Sequence, residues 1–270
     1  MTNGDLRLTV ETLLDTKVTG LRPLHGGNLS VVTEVELGDG RHIVAKTGTL
    51  VDREARMLDA MAAAGARVPQ VLKVSPGLIL MERLEEIPAN SLGWQDLGHM
   101  LRHLHTPRQR AFGWQYDYAF GPVTIANTQT TNWPRFWCEN RLLAGLDTLP
   151  LDLSRRVEHL AHQLVDHLPE SPPVSLLHGD LWVGNILFST GPSAWLIDPA
   201  CYHGHAEVDL AMLSLFAKPD PAFFVAYGPL APGYARREAI YQLWPALVHL
   251  RLFGSGYRPM VETRLNRLGV

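Results

Sequence analysis

Cysteine is nearly absent: the 270 residues hold only Cys138 and Cys201, and neither lies in a CxxC or Cys/His spacing. That argues against a disulfide framework and against a cysteine-built zinc site, and makes a reducing, cytoplasmic compartment the expectation. No apolar run reaches the roughly 18 residues that a membrane-spanning helix needs. The opening MTNGDLRLTVE has neither a basic start nor an apolar stretch behind it, so it does not read as a signal peptide. Basic clusters are missing too, and a formal charge of −3 leaves nucleic acid an unexpected partner. A GxxxxGK[ST] phosphate loop, internal repeats and heptads are all lacking. Histidine is plentiful at twelve, but His99, His103 and His105, like His159, His162 and His167, read as helix-face residues rather than ligands.

What is present begins with a helical stripe, Leu6, Val10, Leu13 and Leu14, followed by three short strands, Leu21–His25, Ser30–Leu37 and Arg41–Thr47. The first two strands flank Gly26-Gly27-Asn28, which taken alone is only a turn. Lys46 ends the third strand. Residues 52–64 then read as a helix with Glu54 in its first turn, placed either to pair with Lys46 or to face water as a dipole-complementing acid. Two further strands, 71–74 and 78–81, lead into Met81-Glu82-Arg83-Leu84 and an irregular EEIPAN. From Ser91, read as a helix cap, the pattern turns helical: 91–107, 133–146, 154–168, 206–217, 221–227 and 235–254. Residues 108–132 are irregular and carry Phe112, Trp114, Tyr116, Tyr118 and Phe120, which must pack on a lobe or line a cleft.

The densest chemistry lies between Ser175 and Met212. Runs 175–177 and 186–188 flank His178-Gly179-Asp180 and Asn185, and a third run, 194–197, stops at Asp198. This arrangement resembles that of phosphoryl-transfer enzymes, whose reaction with an alcohol asks for positioning and charge neutralisation rather than covalent chemistry. Asp180 suits proton acceptance from a hydroxyl, Asn185 and Asp198 offer the hard oxygens that Mg²⁺ prefers, and His178 braces the loop. Each also has a plain reading: turn former, strand-start cap, or Asp-Pro turn. Trp182 is either core or a platform for an acceptor and its amine. Glu207 and Asp209 precede a helix, where capping is the ordinary role; Asp209 is also expected to bond back to the catalytic-loop backbone, and Glu207 to face the acceptor.

The H-x-D-x-x-x-x-N pattern with a later strand-end carboxylate resembles the catalytic loop and metal-binding strand of the protein-kinase-like phosphotransferases. HGDLWVGN, IDPACYHGHAEVDLAM and YQLWPALVHLRLFGSGY are similar, more narrowly, to the fructosamine (ketoamine) kinase family. GGN, VAKT, MERL and NWPRFWCENRL match in order, so the likeness runs from about Pro23 to Tyr257. It implies an α+β, two-lobed fold, with a nucleotide-binding lobe of antiparallel sheet and helix over 1–83 and a larger, mainly helical catalytic and acceptor-binding lobe over 84–270. It further implies ATP and Mg²⁺, with Gly26, Gly27 and Asn28 as the phosphate flap, Lys46 on the phosphates, Glu54 as its partner, and Met81, Glu82 and Leu84 around the adenine. Asp180 would be the base, Asn185 and Asp198 the metal ligands, and Trp182 and Glu207 acceptor contacts. The implied reaction is phosphorylation of the sugar 3-hydroxyl of a ketoamine, free or protein-bound. A kinase of an aminoglycoside or small amino alcohol, or a non-catalytic nucleotide-binding scaffold, is the alternative. Some relatives link two subunits through a flap cysteine; HGGNLS has none, so a monomer is expected.

Overall fold

The structure, a computed structural model, describes residues 2–24, 30–191 and 193–270. Gly26, Gly27 and Asn28, expected to form the phosphate flap, lie outside the described residues.

Thr2 and Asp5 cap each other at the start of α1 (Asn3–Leu14), leaving Leu6 and Val10 buried on one face. That face packs on a five-stranded antiparallel sheet of β1 (Val18–Leu24), β2 (Val31–Leu37), β3 (His42–Thr47), β4 (Val71–Ser75) and β5 (Leu78–Glu82), in the order β1-β2-β3-β5-β4. Side chains on a strand alternate between faces. Ile43, Ala45, Leu78 and Leu80 therefore join α1 in a small core, while Val44, Lys46, Ile79 and Met81 point the other way. The second face is covered by α2 (Val51–Ala63), whose Met57, Leu58 and Met61 merge with the core of the helical part of the chain. β5 is thus buried on both faces, which is why LILM is a continuous apolar run.

Beyond β5 the chain runs extended to α3 (Ser91–Leu104). Asn90, not Ser91, caps this helix by accepting from Gly93 N at 2.9 Å; the Ser91 hydroxyl instead bonds Asp220. The expected irregular stretch contains a short hairpin, β6 (Tyr118–Phe120) with β7 (Val123–Ile125), and Phe112 and Trp114 are buried. The helix expected over 133–146 is shorter. After α4 (Trp133–Trp137) the turns widen into a π-helix over Cys138–Leu142, which swings Arg141 fully inside. Its guanidinium donates to Ala126 O, Asn140 O and Asn127 Oδ1 and lies 4.3 Å from the Tyr202 ring centre.

α5 (Leu151–His162) leads to two small sheets: β8 (Val174–Leu177) pairs with β11 (Tyr202–His205), and β9 (Ile186–Ser189) with β10 (Ser193–Leu196). α6 (Glu207–Leu213), α7 (Pro221–Tyr227), α8 (Tyr234–Phe253) and α9 (Arg258–Leu268) complete the helical part. α3 and α7 touch so closely that a Cβ at Gly98 would sit 2.5 Å from Phe223 O. α8 is buried on every side from Ala239 to Val248, with α6 and α9 against it. Among the described residues, no helix is long and apolar enough to cross a membrane.

Candidate active site

A cavity of about 210 Å³ opens between the sheet and the small β9–β10 hairpin. Leu24, Val32 and Val44 from the sheet face Leu187 and Ile197 across it, while Met81, Glu82, Arg83 and Leu84 close its back. Such an apolar slot with a polar rim suits a flat heterocycle. Glu82 N is already bonded to Gln70 O at 3.0 Å, whereas Leu84 N has no hydrogen bond to any described residue. Glu34 fixes the wall from outside, meeting Arg83 and His42 at 3.3 Å each and also pairing with Arg22.

At the inner end Lys46 is buried and reaches two carboxylates, Glu54 at 2.7 Å and Asp198 at 2.8 Å. Burial alone would push the ammonium down, but Glu54 and Asp198 outweigh it and hold Lys46 above the ordinary lysine value. Burial raises Glu54 against the pull of Lys46. Glu54 therefore does not face water: the short connection between β3 and α2 suffices to bring it under the lysine.

Asp198 has φ 54°, a left-handed conformation uncommon for a residue with a side chain. It is held there by bonds on both sides. Ile197 N donates to Asn185 O at 3.1 Å, Ala200 N to His178 O at 2.8 Å, and His178 Nε2 to Ile197 O at 2.9 Å. The last bond fixes the tautomer, leaving His178 Nδ1 to accept from Asp180 N at 3.2 Å. Burial keeps this imidazole neutral by pushing its pKa down. Gly179, with φ +82°, is required between these segments, because a Cβ there would lie 2.0 Å from Ala200 O.

Asp180 stands at the tip of this loop. The Asn185 amide donates to Asp180 O at 2.8 Å and to Asp180 Oδ2 at 3.1 Å. Burial pushes the Asp180 carboxyl up to about 7, the Asn185 bond opposes this, and the charges of Asp198 and Asp209 add to it. Behind the loop, Asp209 is completely buried and accepts from His178 N at 2.7 Å and Gly179 N at 2.9 Å. His105 Nε2 meets the same carboxylate at 3.1 Å, and its Nδ1 meets the Tyr227 hydroxyl at 2.9 Å. His105 thus belongs to the loop anchor and not to an exposed helix face.

Two acceptor expectations separate. Trp182 is 37 % exposed and meets Phe216 edge-on at 6.2 Å, so it is not core. Glu207, expected to face the acceptor, is buried in the first turn of α6 and takes two 2.6 Å bonds from Arg237. Arg237, thirty positions later in α8, gave no local signal of this pairing. Replacing it strands a buried carboxylate. Arg237→Ala is expected to lower stability by about 3 kcal/mol, read as a fall in melting temperature, with acceptor KM unchanged; a raised KM at unchanged melting temperature would place Glu207 at the acceptor site. Tyr118, expected either to pack on a lobe or to line a cleft, is half-buried in β6. Burial, then the charges of Glu54, Asp198 and Asp180, push its hydroxyl up, which keeps it a proton donor beside the cleft.

Residues 6–269 match the fructosamine kinase family. A "probable ketoamine kinase" from Synechocystis is 34% identical over 241 residues, covering 83% of this chain and 80% of the relative. A chloroplastic protein-ribulosamine 3-kinase from Oryza sativa subsp. indica is 32% identical over 267 residues, covering 90% and 77%. The crystal structure of a "putative fructosamine-3-kinase" from Thermobifida fusca superposes with a TM-score of 0.89 at 31% identity, covering 98% of each chain.

Proposed function

The chain belongs to the fructosamine kinase family, with its two-lobed protein-kinase-like fold, and from that premise we propose that it uses ATP and Mg²⁺ to phosphorylate the sugar 3-hydroxyl of ketoamines. In this reading residues 1–83 hold the nucleotide and residues 84–270 the acceptor. One observation supports it above the others: Asp198 lines the cavity that ends on Lys46 and bonds that lysine, while its charge acts on Asp180, whose carboxylate accepts from Asn185.

The donor set fits a hard divalent cation. Asn185 uses its NH₂ on Asp180, which leaves its Oδ1 to accept, and Asp198 gives only Oδ1 to Lys46. Mg²⁺ takes one or two side-chain oxygens and completes its octahedron with phosphate and water, so a cluster of three acidic residues is not needed. When bound, it would offset charge on the transferring phosphoryl group.

The adenine would lie between Val44 and Leu187 and bond exposed backbone near Leu84. Lys46 would reach the phosphates with Glu54 as its fixed partner. Asp180 would orient the acceptor hydroxyl and take its proton as the oxygen–phosphorus bond forms; a carboxyl poised near neutrality is well matched to that transfer. Trp182 would bound the acceptor side. Once the sugar carries phosphate at C3, its C1–C2 enaminol form can expel that phosphate, and the weakened adduct then releases its amine. This is a deglycation repair role.

Phosphate transfer from Mg-ATP should be seen with ribuloselysine or fructoselysine, and phosphorus NMR should place the phosphate on C3. Transfer to kanamycin alone would overturn the ketoamine reading in favour of an aminoglycoside kinase. A melting-temperature rise with Mg-ATP but no turnover on any acceptor would leave a nucleotide-binding scaffold.

A further inference from the structure

Beside the catalytic loop the surface carries a continuous set of aromatic rings. Trp182, two residues past Asp180, meets Phe216 at 6.2 Å between ring centres; Phe216 meets His249 at 4.9 Å; His249 meets Phe253 at 5.4 Å and Tyr257 at 5.1 Å. These rings come from four separate segments. The turn Ser255–Tyr257 after α8 folds Tyr257 back onto His249. A packing cluster would be buried, yet Trp182, Phe216 and Phe253 are 37%, 40% and 41% exposed. None of the five residues lines the nucleotide cavity. Contiguous exposed aromatic surface of this kind marks a binding site.

His249 gives the shelf its polar character. Its Nδ1 lies 2.8 Å from Pro245 O, so Nδ1 carries the proton and Nε2 keeps its lone pair. Burial pushes its pKa down and keeps the ring neutral. The shelf therefore offers aromatic faces and one acceptor nitrogen, with no formal charge. That surface suits an aliphatic or aromatic chain next to a protonated amine better than it suits a sugar, whose hydroxyls need several partners.

We propose that Phe216, His249, Phe253 and Tyr257 form the subsite for the amine arm of the acceptor, and so select among ketoamines by the amine they carry. This rests on the ketoamine kinase reading. With the 3-hydroxyl at Asp180 and the sugar against Trp182, the nitrogen lies a few bonds further on, and whatever it carries extends over the shelf.

The test uses the ribulose adducts of methylamine and benzylamine with wild type and Phe253→Ala. Wild type should phosphorylate both, with a lower KM for the benzylamine adduct. Phe253→Ala should raise KM for the benzylamine adduct about tenfold, leave kcat and the methylamine adduct unaffected, and be rescued by Phe253→Tyr. Should Phe253→Ala fail to fold, as judged by circular dichroism, Tyr257→Ala should give the same split. Equal effects on both adducts, or no effect on either, would overturn the inference alone. Absence of transfer to either adduct by wild type, with transfer to another alcohol, would overturn the ketoamine reading and this inference with it.

Discussion

Asp180→Asn is expected to lower phosphoryl transfer by about a thousandfold while KM for ATP moves no more than a few-fold, because proton acceptance in the transition state is lost and the nucleotide cavity is untouched. The asparagine fits the same space and still meets the Asn185 amide with its carbonyl oxygen. Steady-state kinetics with Mg-ATP and a ketoamine would measure both constants. Turnover within tenfold of wild type would remove Asp180 from the base role and leave it a positioning contact.

The same variant carries a stability signature of opposite sign. Asp180 has a folded-state pKa raised to about 7, above its unfolded carboxylate value. Between about pH 4 and 7 the native protein therefore binds the extra proton, and stability contributed by the neutral carboxyl is lost as pH rises through the folded value. The carboxylate is hemmed in on most sides yet keeps a face on the cleft, so the effect is discounted to about 1–2 kcal/mol. Metal-free Asp180→Asn should melt above wild type at pH 8 and level with it near pH 4. A variant that melts below wild type at pH 8 would show that the carboxylate is not held at a cost. In the free enzyme kcat/KM should fall below pH 7 as the base takes up a proton.

What could be read in advance follows from how local each signal is. Lys46 and Asp198 sit at the ends of short apolar runs, Asp180 and Asn185 lie between two such runs, and Glu54 stands in the first turn of the helix just after Lys46, so short spacings along the chain already group them. β11 could not be read that way: Tyr-His-Gly-His has no apolar alternation and is a strand only because β8 pairs with it, Tyr202 opposite Leu177. α9 was missed although Val261, Leu265 and Leu268 fall on one helical face, since its many polar residues mask the stripe. The pairing of Glu207 with Arg237 could not be read either, because Arg237 lies thirty positions away in another helix. The left-handed backbone of Asp198 and the π-turn under Arg141 are set by packing between segments, for which a linear pattern holds no record.

Asp209 is where fold and chemistry share one group, and its replacement should harm both. Its two oxygens accept from two consecutive backbone amides of the catalytic loop and meet His105, all out of reach of water. Asp209→Asn keeps the volume but turns one acceptor into an NH₂ that faces an N–H, so a buried donor is left without a partner. Breaking a buried charged network of this kind costs about 3–5 kcal/mol, or roughly 10 °C in melting temperature for a chain of this size. The loop that would relax is the one that aims Asp180, so kcat should fall about a hundredfold even at temperatures where the variant remains folded. KM for ATP should hold, because Lys46 and the Leu84 segment are anchored elsewhere. Thermal melting together with kinetics at 15 °C separates the two effects. An unchanged kcat in a folded but less stable variant would confine Asp209 to stability and place the aiming of Asp180 on His178 and Asn185 alone.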